Sequence, residues 1–224
     1  MILALNKPTV LILTNGGALS TEGFDQEGGL HNKGASAIVE AFNPNVVGAK
    51  AVAALLFGQV NTWGKLPYTI YPESYTNAIA MNNFDMTQSP GRTYRYYKGA
   101  VNYQFGHGLS YTNFSMHCEM KSESVACTVT NTGEMDGDEV VMMFVRPLAA
   151  VRAAADHILP IKKLVGFDRV RLGKNGGKKI LNFAFDDNTF ASSTSAGDVV
   201  VYKGDYELVF WRGNGDEVVF TVNV

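Results

Sequence analysis

The pattern of apolar and polar positions changes character near residue 112. Before that point, Thr9-Val10-Leu11-Ile12-Leu13-Thr14 is a continuous aliphatic and β-branched run, entered from Pro8 and left through Asn15-Gly16-Gly17. Such a run suits a strand buried on both faces, hence a parallel sheet covered by helices. A Gly-rich loop follows through Glu22, Asp25, Glu27, Gly28, Gly29 and His31, then a second apolar run, Ala37 to Phe42, and a turn at Asn43-Pro44-Asn45. From Val46 to Phe57 the Ala-rich composition and the spacing of Val47, Ala51, Val52, Leu55 and Leu56 predict a helix stopped by Gly58. Asn61-Thr62-Trp63-Gly64 reads as a turn and Leu66 to Ile70 as a short strand. Strand, strand, helix, strand predicts part of an α/β layered domain entered in mid-fold, with fewer βα units than a parallel sheet needs.

From Phe114 the period becomes two. Phe114, Met116, Cys118 and Met120 alternate along one run and Val125, Cys127 and Val129 along the next, with a Lys121-Ser122-Glu123-Ser124 turn between. A hairpin with that loop sets Met120 opposite Val125, Cys118 opposite Cys127 and Met116 opposite Val129. The two cysteines then either form a cross-strand disulfide or stay as small buried thiols, since directly opposed cysteines make a strained bridge. Glu139 to Val145, Leu164 to Val170, Lys179 to Phe185, Asp198 to Tyr202, Tyr206 to Trp211 and Glu217 to Val222 also read as strands. Residues 146 to 162 form an irregular connection, and Gly173 to Gly177 reads as a hairpin turn. Roughly eight strands in this length predict an immunoglobulin or fibronectin III-like β-sandwich. The expected fold class is therefore α/β followed by all-β, with domains 1–112 and 113–224.

Composition narrows the partners. With 46% apolar residues in 224, the chain can bury a core. Residues 1–112 carry 7 Lys/Arg against 6 Asp/Glu and residues 113–224 carry 12 against 15. Neither half has the basic excess that a phosphate backbone demands, so nucleic acid is not an expected partner. No apolar run approaches the length of a membrane span, and Met1 to Pro8 lacks the regions of a signal peptide. Cys118 and Cys127 lack zinc-site spacing, so no metal is expected. Asn113-Phe114-Ser115 is a formal glycosylation sequon.

Unusual residues concentrate at Gly91-Arg92-Thr93-Tyr94-Arg95, Tyr97-Lys98-Gly99 and Phe105-Gly106-His107-Gly108-Leu109-Ser110-Tyr111-Thr112. With Gly64-Lys65-Leu66-Pro67 and Tyr71-Pro72 before them, this order resembles glycoside hydrolase family 3, especially its plant-type and fungal β-xylosidase branch. Leu55-Leu56-Phe57-Gly58, Asn131-Thr132-Gly133, Asp136-Gly137-Asp138-Glu139-Val140 and Leu164-Val165-Gly166-Phe167-Asp168-Arg169-Val170 continue the resemblance over nearly the whole chain. Trp63 departs from the small residue or proline the family often has there. The resemblance implies the second half of a three-domain enzyme: a (β/α)8 barrel expected before residue 1, the end of an α/β sandwich domain, and a fibronectin III-like domain. It also implies a mostly secreted or vacuolar setting.

Retaining glycosidases use two carboxyl groups, a nucleophile and a general acid/base. The resemblance places the nucleophile aspartate on the barrel and the acid/base glutamate upstream of Thr9 to Thr14, so no catalytic residue is expected in this chain. Glu22, Asp25 and Glu27 follow the first strand on the edge where α/β sheets carry ligands, and read as a displaced acid/base or as a solvated acidic loop. Asn15, Gly16 and Gly17 on the same edge either lend backbone to a sugar pocket or simply turn the chain. Tyr94, Tyr96, Tyr97 and Tyr103 suit sugar stacking or a domain interface. Arg92 and Arg95 are expected to meet carboxylates or carbonyls at that interface, and His107, framed by glycines, to make a positioning hydrogen bond. The expected whole-enzyme reaction is retaining hydrolysis of terminal β-linked xylo- or gluco-oligosaccharides, without metal or organic cofactor. The rival expectation is a stand-alone carbohydrate-binding or protein-interaction module.

Overall fold

The computed structural model describes residues 7–24 and 34–224. Asp25, Glu27, Gly28, Gly29 and His31 of the Gly-rich loop lie outside the described residues. The predicted parallel pairing is present: β1 (Val10–Leu13) runs beside β2 (Ala37–Glu40) with Val10 opposite Ala37 and Leu13 opposite Glu40. The burial expected of β1 is not. Val10 is 47% exposed and Ile12 41%, because no layer among the described residues covers that face. α1 (Val46–Leu56) starts where the Asn45 side chain accepts from the Gly48 N–H at 2.9 Å. It ends at Phe57 and Gly58, whose φ of +66° favours glycine. Val52, Leu55 and Leu56 are half-buried, but Val46 and Val47 in the first turn are above 70% exposed and Phe57 just past the end 82%.

Residues 58–112 make little regular structure. The strand expected over Leu66 to Ile70 reduces to one antiparallel bridge between Ile70 and Tyr103, flanked by hydrogen bonds that tie Leu66 to Gly106 and His107. Pro67 has no N–H for a ladder, which explains the short pairing. One turn of 3-10 helix spans Glu73–Asn77, and α2 is the single turn Thr93–Tyr96.

The remainder is dominated by two antiparallel sheets. One is ordered β3 (Phe114–Met120), β4 (Ser124–Asn131), β7 (Lys178–Ala184); the other β11 (Val218–Asn223), β10 (Asp205–Trp211), β5 (Gly137–Pro147), β6 (Lys163–Leu172). Alternate residues from both meet in a shared core that includes Val125, Cys127, Val129, Val141, Leu181, Tyr206, Leu208 and Phe210. Each fully buried side chain of that size stabilises the fold by about 1.5–3 kcal/mol. The hairpin register is the predicted one, with Cys118 opposite Cys127, and the two sulfurs are bonded.

Three expectations need correction. The Gly173 to Gly177 turn does not close a hairpin, because β6 pairs with β5 and β7 with β4, so the chain crosses between sheets there. The strand expected over Asp198 to Tyr202 shrinks to β9 (Val199–Val200), paired with β8 (Ser192–Ser193). The connection at 146–162 contains α3 (Ala149–Ala154), while α4 (Asp187–Phe190) follows β7. Arg152 of α3 donates to the carbonyls of Pro147, Leu159, Pro160 and Ile161, giving that segment a fixed path without regular structure.

Candidate functional site

Asn15 leaves β1 at the carboxyl edge of the parallel pair, with its N–H donating to the Phe42 carbonyl at 3.0 Å. Its side-chain amide donates to Glu40 at 3.2 Å, and Glu40 also accepts from the Phe42 N–H at 3.1 Å. Gly16 and Gly17 are solvent-exposed, and a Cβ at Gly17 would meet nothing. This edge therefore presents open backbone rather than a walled pocket. Tyr68 packs its ring edge-on against Phe42, and burial together with the nearby Glu40 carboxylate pushes its phenol well above the ordinary range. Glu22 accepts from the Glu73 N–H at 2.8 Å, capping the start of the 3-10 helix. A carboxylate held that way serves structure first.

Beside that cap lies a shallow cavity of about 180 Å³ walled by Ala18, Leu19, Tyr71, Pro72 and Tyr75, with Glu73 as its carboxylate. Tyr71 and Tyr75 stack at 4.1 Å on each other, and Tyr97 meets both edge-on at 4.9 and 5.3 Å. These rings satisfy one another before any sugar could use them. A larger cavity of about 260 Å³ lies between Arg95 and the β-sheets, and its lining includes no carboxylate. Neither cavity offers the carboxyl pair that retaining hydrolysis requires. Among the described residues, no group of three His, Cys, Asp or Glu is placed to hold a metal ion, and no helix is long and apolar enough to cross a membrane.

The residues of the 91–112 motif face the sheets. Tyr94 stacks on Phe105 at 4.2 Å, reaches Phe144 edge-on at 5.9 Å, and its hydroxyl accepts from the Leu164 N–H at 3.2 Å. Tyr94 and Phe105 thereby complete a second apolar cluster with Met142, Phe144, Val209 and Trp211. Arg92 donates to the carbonyls of Ala80 and Asn83 at 2.9 Å each, and so binds the motif to its own half. Arg95 behaves differently: its carbonyl accepts from the Ile161 N–H, while its guanidinium has no ion pair among the described residues. Tyr97 donates to the Ala100 carbonyl at 2.8 Å. His107 stacks on Tyr103 at 5.1 Å. Burial holds its imidazole below the ordinary value, with a hydrogen bond to the Gly213 main chain working in the opposite direction.

The groups that sequence reasoning missed form an ion cluster. Glu139 is 2% exposed and accepts from Lys65 at 2.7 Å and Arg212 at 2.9 Å; Lys65 also donates to the Gly108 carbonyl. Burial is the main cause of a lowered Lys65 pKa, which the Glu139 carboxylate partly restores. Both Lys65 and Glu139 stand in quoted motifs, Gly64-Lys65-Leu66-Pro67 and Asp136-Gly137-Asp138-Glu139-Val140, but alternation along a strand does not reveal which charge turns inward. Gly213, at φ +85°, lies so close to Gly106 that a Cβ there would sit 2.0 Å from the Gly106 carbonyl oxygen. The Asn61 carbonyl accepts from the Asp138 N–H at 3.1 Å, and Arg169 donates to the Thr62 carbonyl.

Comparison with known proteins follows the same motifs. The family model "Glycosyl hydrolase family 3 C-terminal domain" matches residues 1–111. A probable exo-1,4-β-xylosidase of Aspergillus terreus is 31% identical over 223 residues, covering 91% of this chain and 28% of the relative. The probable β-D-xylosidase 7 of Arabidopsis thaliana is 31% identical, with 99% of this chain and 32% of the relative covered. Among solved structures, a family 3 exo-β-xylosidase in complex with a xylobiose aziridine probe superposes with TM-score 0.84 at 25% identity, over 99% of this chain and 31% of that one. A Bifidobacterium adolescentis family 3 β-glucosidase gives TM-score 0.78 at 29% identity, over 100% of this chain and 34% of that one. The chain thus spans about a third of the length of these relatives. Its matched motifs, its relatives and the folds it superposes on agree, and the chain belongs to glycoside hydrolase family 3.

Proposed function

We propose that this chain is the C-terminal, non-catalytic portion of a β-xylosidase-like enzyme that hydrolyses terminal β-glycosidic bonds. The observation that carries the reading is that nearly the whole chain is similar to about a third of β-xylosidases, with residues 1–111 matching the family's C-terminal domain, together with cavities that lack a carboxylate pair. In this reading residues 1–112 are the end of an α/β sandwich domain and 113–224 a fibronectin III-like domain. Tyr94, the Arg95 main chain and His107 then hold the two together, while Arg92 and Tyr97 brace the motif within residues 1–112. Asn15, Gly16 and Gly17 lend backbone to the sugar pocket from the open edge of the parallel pair, where α/β sheets carry ligands. The exposed faces of β1 and α1 support the reading, since a barrel-bearing N-terminal portion supplies a covering layer of the required apolar kind.

Hydrolysis by residues 1–224 alone is not expected, because the covalent step of a retaining enzyme needs a nucleophile that neither cavity offers. Incubation of purified 1–224 with nitrophenyl β-D-xyloside should release no nitrophenol above buffer, and clear turnover would sink the proposal. Adding the separately produced N-terminal portion of a family 3 β-xylosidase provides the positive arm, with activity expected only in the mixture. Saturable binding of xylo-oligosaccharides to 1–224 alone would instead favour a stand-alone carbohydrate-binding module.

A further inference from the structure

The 260 Å³ cavity has a charge pattern that the glycosidase reading does not use. Arg95 lines it from α2 and Lys163 from the start of β6. The Arg95 Nε is buried without a hydrogen-bond partner, and neither side chain has an ion pair among the described residues. The contrast with the other arginines is informative. Arg92 and Arg146 also leave Nε without a hydrogen bond, but their terminal nitrogens are engaged, those of Arg92 and Arg152 by backbone carbonyls and that of Arg146 by Glu217. Lys163 uses one donor on the Ala191 carbonyl at 2.6 Å. Burial, and then the Arg95 charge, hold its ammonium below the ordinary range, so the two cations feel each other without a counter-ion between them. His157 also lines the cavity, but Asp156 lies 2.7 Å from its ring and balances it. Two uncompensated positive charges remain.

The other walls restrict what could neutralise them. Ser192 and Ser193 of β8 offer hydroxyls, while Phe190 and Tyr206 offer aromatic surface. The space exceeds what acetate or inorganic phosphate fills, and a guanidinium fork beside an ammonium can grip the carboxylate of a larger, hydroxyl-bearing molecule. We propose that this cavity binds a monocarboxylate carried on a hydroxylated ring, of the hexuronate type, with Arg95 and Lys163 gripping the carboxylate and Ser192 and Ser193 meeting the ring hydroxyls. The ligand class is thus an acidic sugar, bound at a site separate from any hydrolytic centre. The assignment stands whether or not the chain works as part of a β-xylosidase.

Calorimetric titration and amide NMR of residues 1–224 with sodium D-glucuronate test it, against D-glucose, sodium acetate and inorganic phosphate at matched ionic strength. Glucuronate is expected to saturate with a dissociation constant on the order of 1 mM and to move the amide signals of Ala191, Ser192 and Ser193, with the three controls clearly weaker. R95M and K163M should each weaken glucuronate about tenfold or more, the scale of a charge-assisted hydrogen bond, and R95K should fall between R95M and the native chain. R95M should melt no lower than the native chain, because it removes a half-buried cation that has no counter-ion, and K163M, which also gives up the bond to the Ala191 carbonyl, should remain folded at the titration temperature. Absence of saturation, equal binding of glucose, acetate or phosphate, or undiminished affinity in folded R95M and K163M would each overturn the proposal.

Discussion

Glu139 is a buried carboxylate whose two oxygens are both engaged by cations. It is almost wholly buried between two cations that come from distant parts of the sequence, Lys65 and Arg212. Removing one partner of a buried ionic cluster costs more than the cluster contributes, because the remaining charges stay desolvated. Glu139→Gln should therefore lower unfolding free energy by about 3 kcal/mol or more in urea titrations, whereas exchanging all three for apolar residues of similar volume should cost much less. His107 supplies the pH counterpart. Its folded-state pKa lies below the ordinary value, chiefly through burial, so the unfolded chain binds the proton first as pH falls. Stability should be insensitive to this group above about pH 6.5 and decline below it, and His107→Gln should flatten that part of a melting-temperature profile.

At the scale of elements, the β3–β4 hairpin joins prediction to observation. Its alternation specified the register, and the observed pairing of Cys118 with Cys127 follows from it. The bridge closes a short loop of sequence separation 9, so loop-closure entropy limits its contribution to roughly 2–3 kcal/mol. Cys118→Ala with Cys127→Ala should lose no more than that in denaturant midpoint measurements, and the hairpin should persist by amide exchange. Period-two strands were legible because one face meets a core: β4, β5, β7 and β10 all lie close to their predicted ranges. Helix α1 was legible for a different reason, its Ala-rich composition and the Gly58 stop, although its packing was not. Sheet membership was not legible at all, since the Gly173 to Gly177 turn looks the same whether it closes a hairpin or changes sheets. The motif at 91–112 announced a special region through its arginines, tyrosines and glycines. Which of its side chains were satisfied depended on carbonyls supplied by residues 80, 83 and 100 and on an N–H from residue 164, and no local pattern encodes those partners.

Across the whole molecule, burial is uneven. The two antiparallel sheets enclose side chains at or near zero exposure, while β1 and α1 leave Val10, Ile12, Val46, Val47 and Phe57 in solvent. Apolar residues gathered on an uncovered element mark an interaction surface or an aggregation liability. Replacing Val46, Val47 and Phe57 by Thr, Thr and Ser should change the melting temperature of residues 1–224 little and raise the concentration at which light scattering first increases. An unchanged onset would show that these side chains are not what limits solubility.

The near-contact of the Gly106 and Gly213 main chains, beside the Lys65, Glu139 and Arg212 cluster, bears on motion as well as stability. Two backbones that close leave no room for side chains to slide, and a desolvated charge cluster resists shear because any displacement strands a charge. The junction is built as a weld rather than a hinge. The segments that carry Gly106 and Gly213 would then travel as a single body, and relative motion would have to be sought elsewhere.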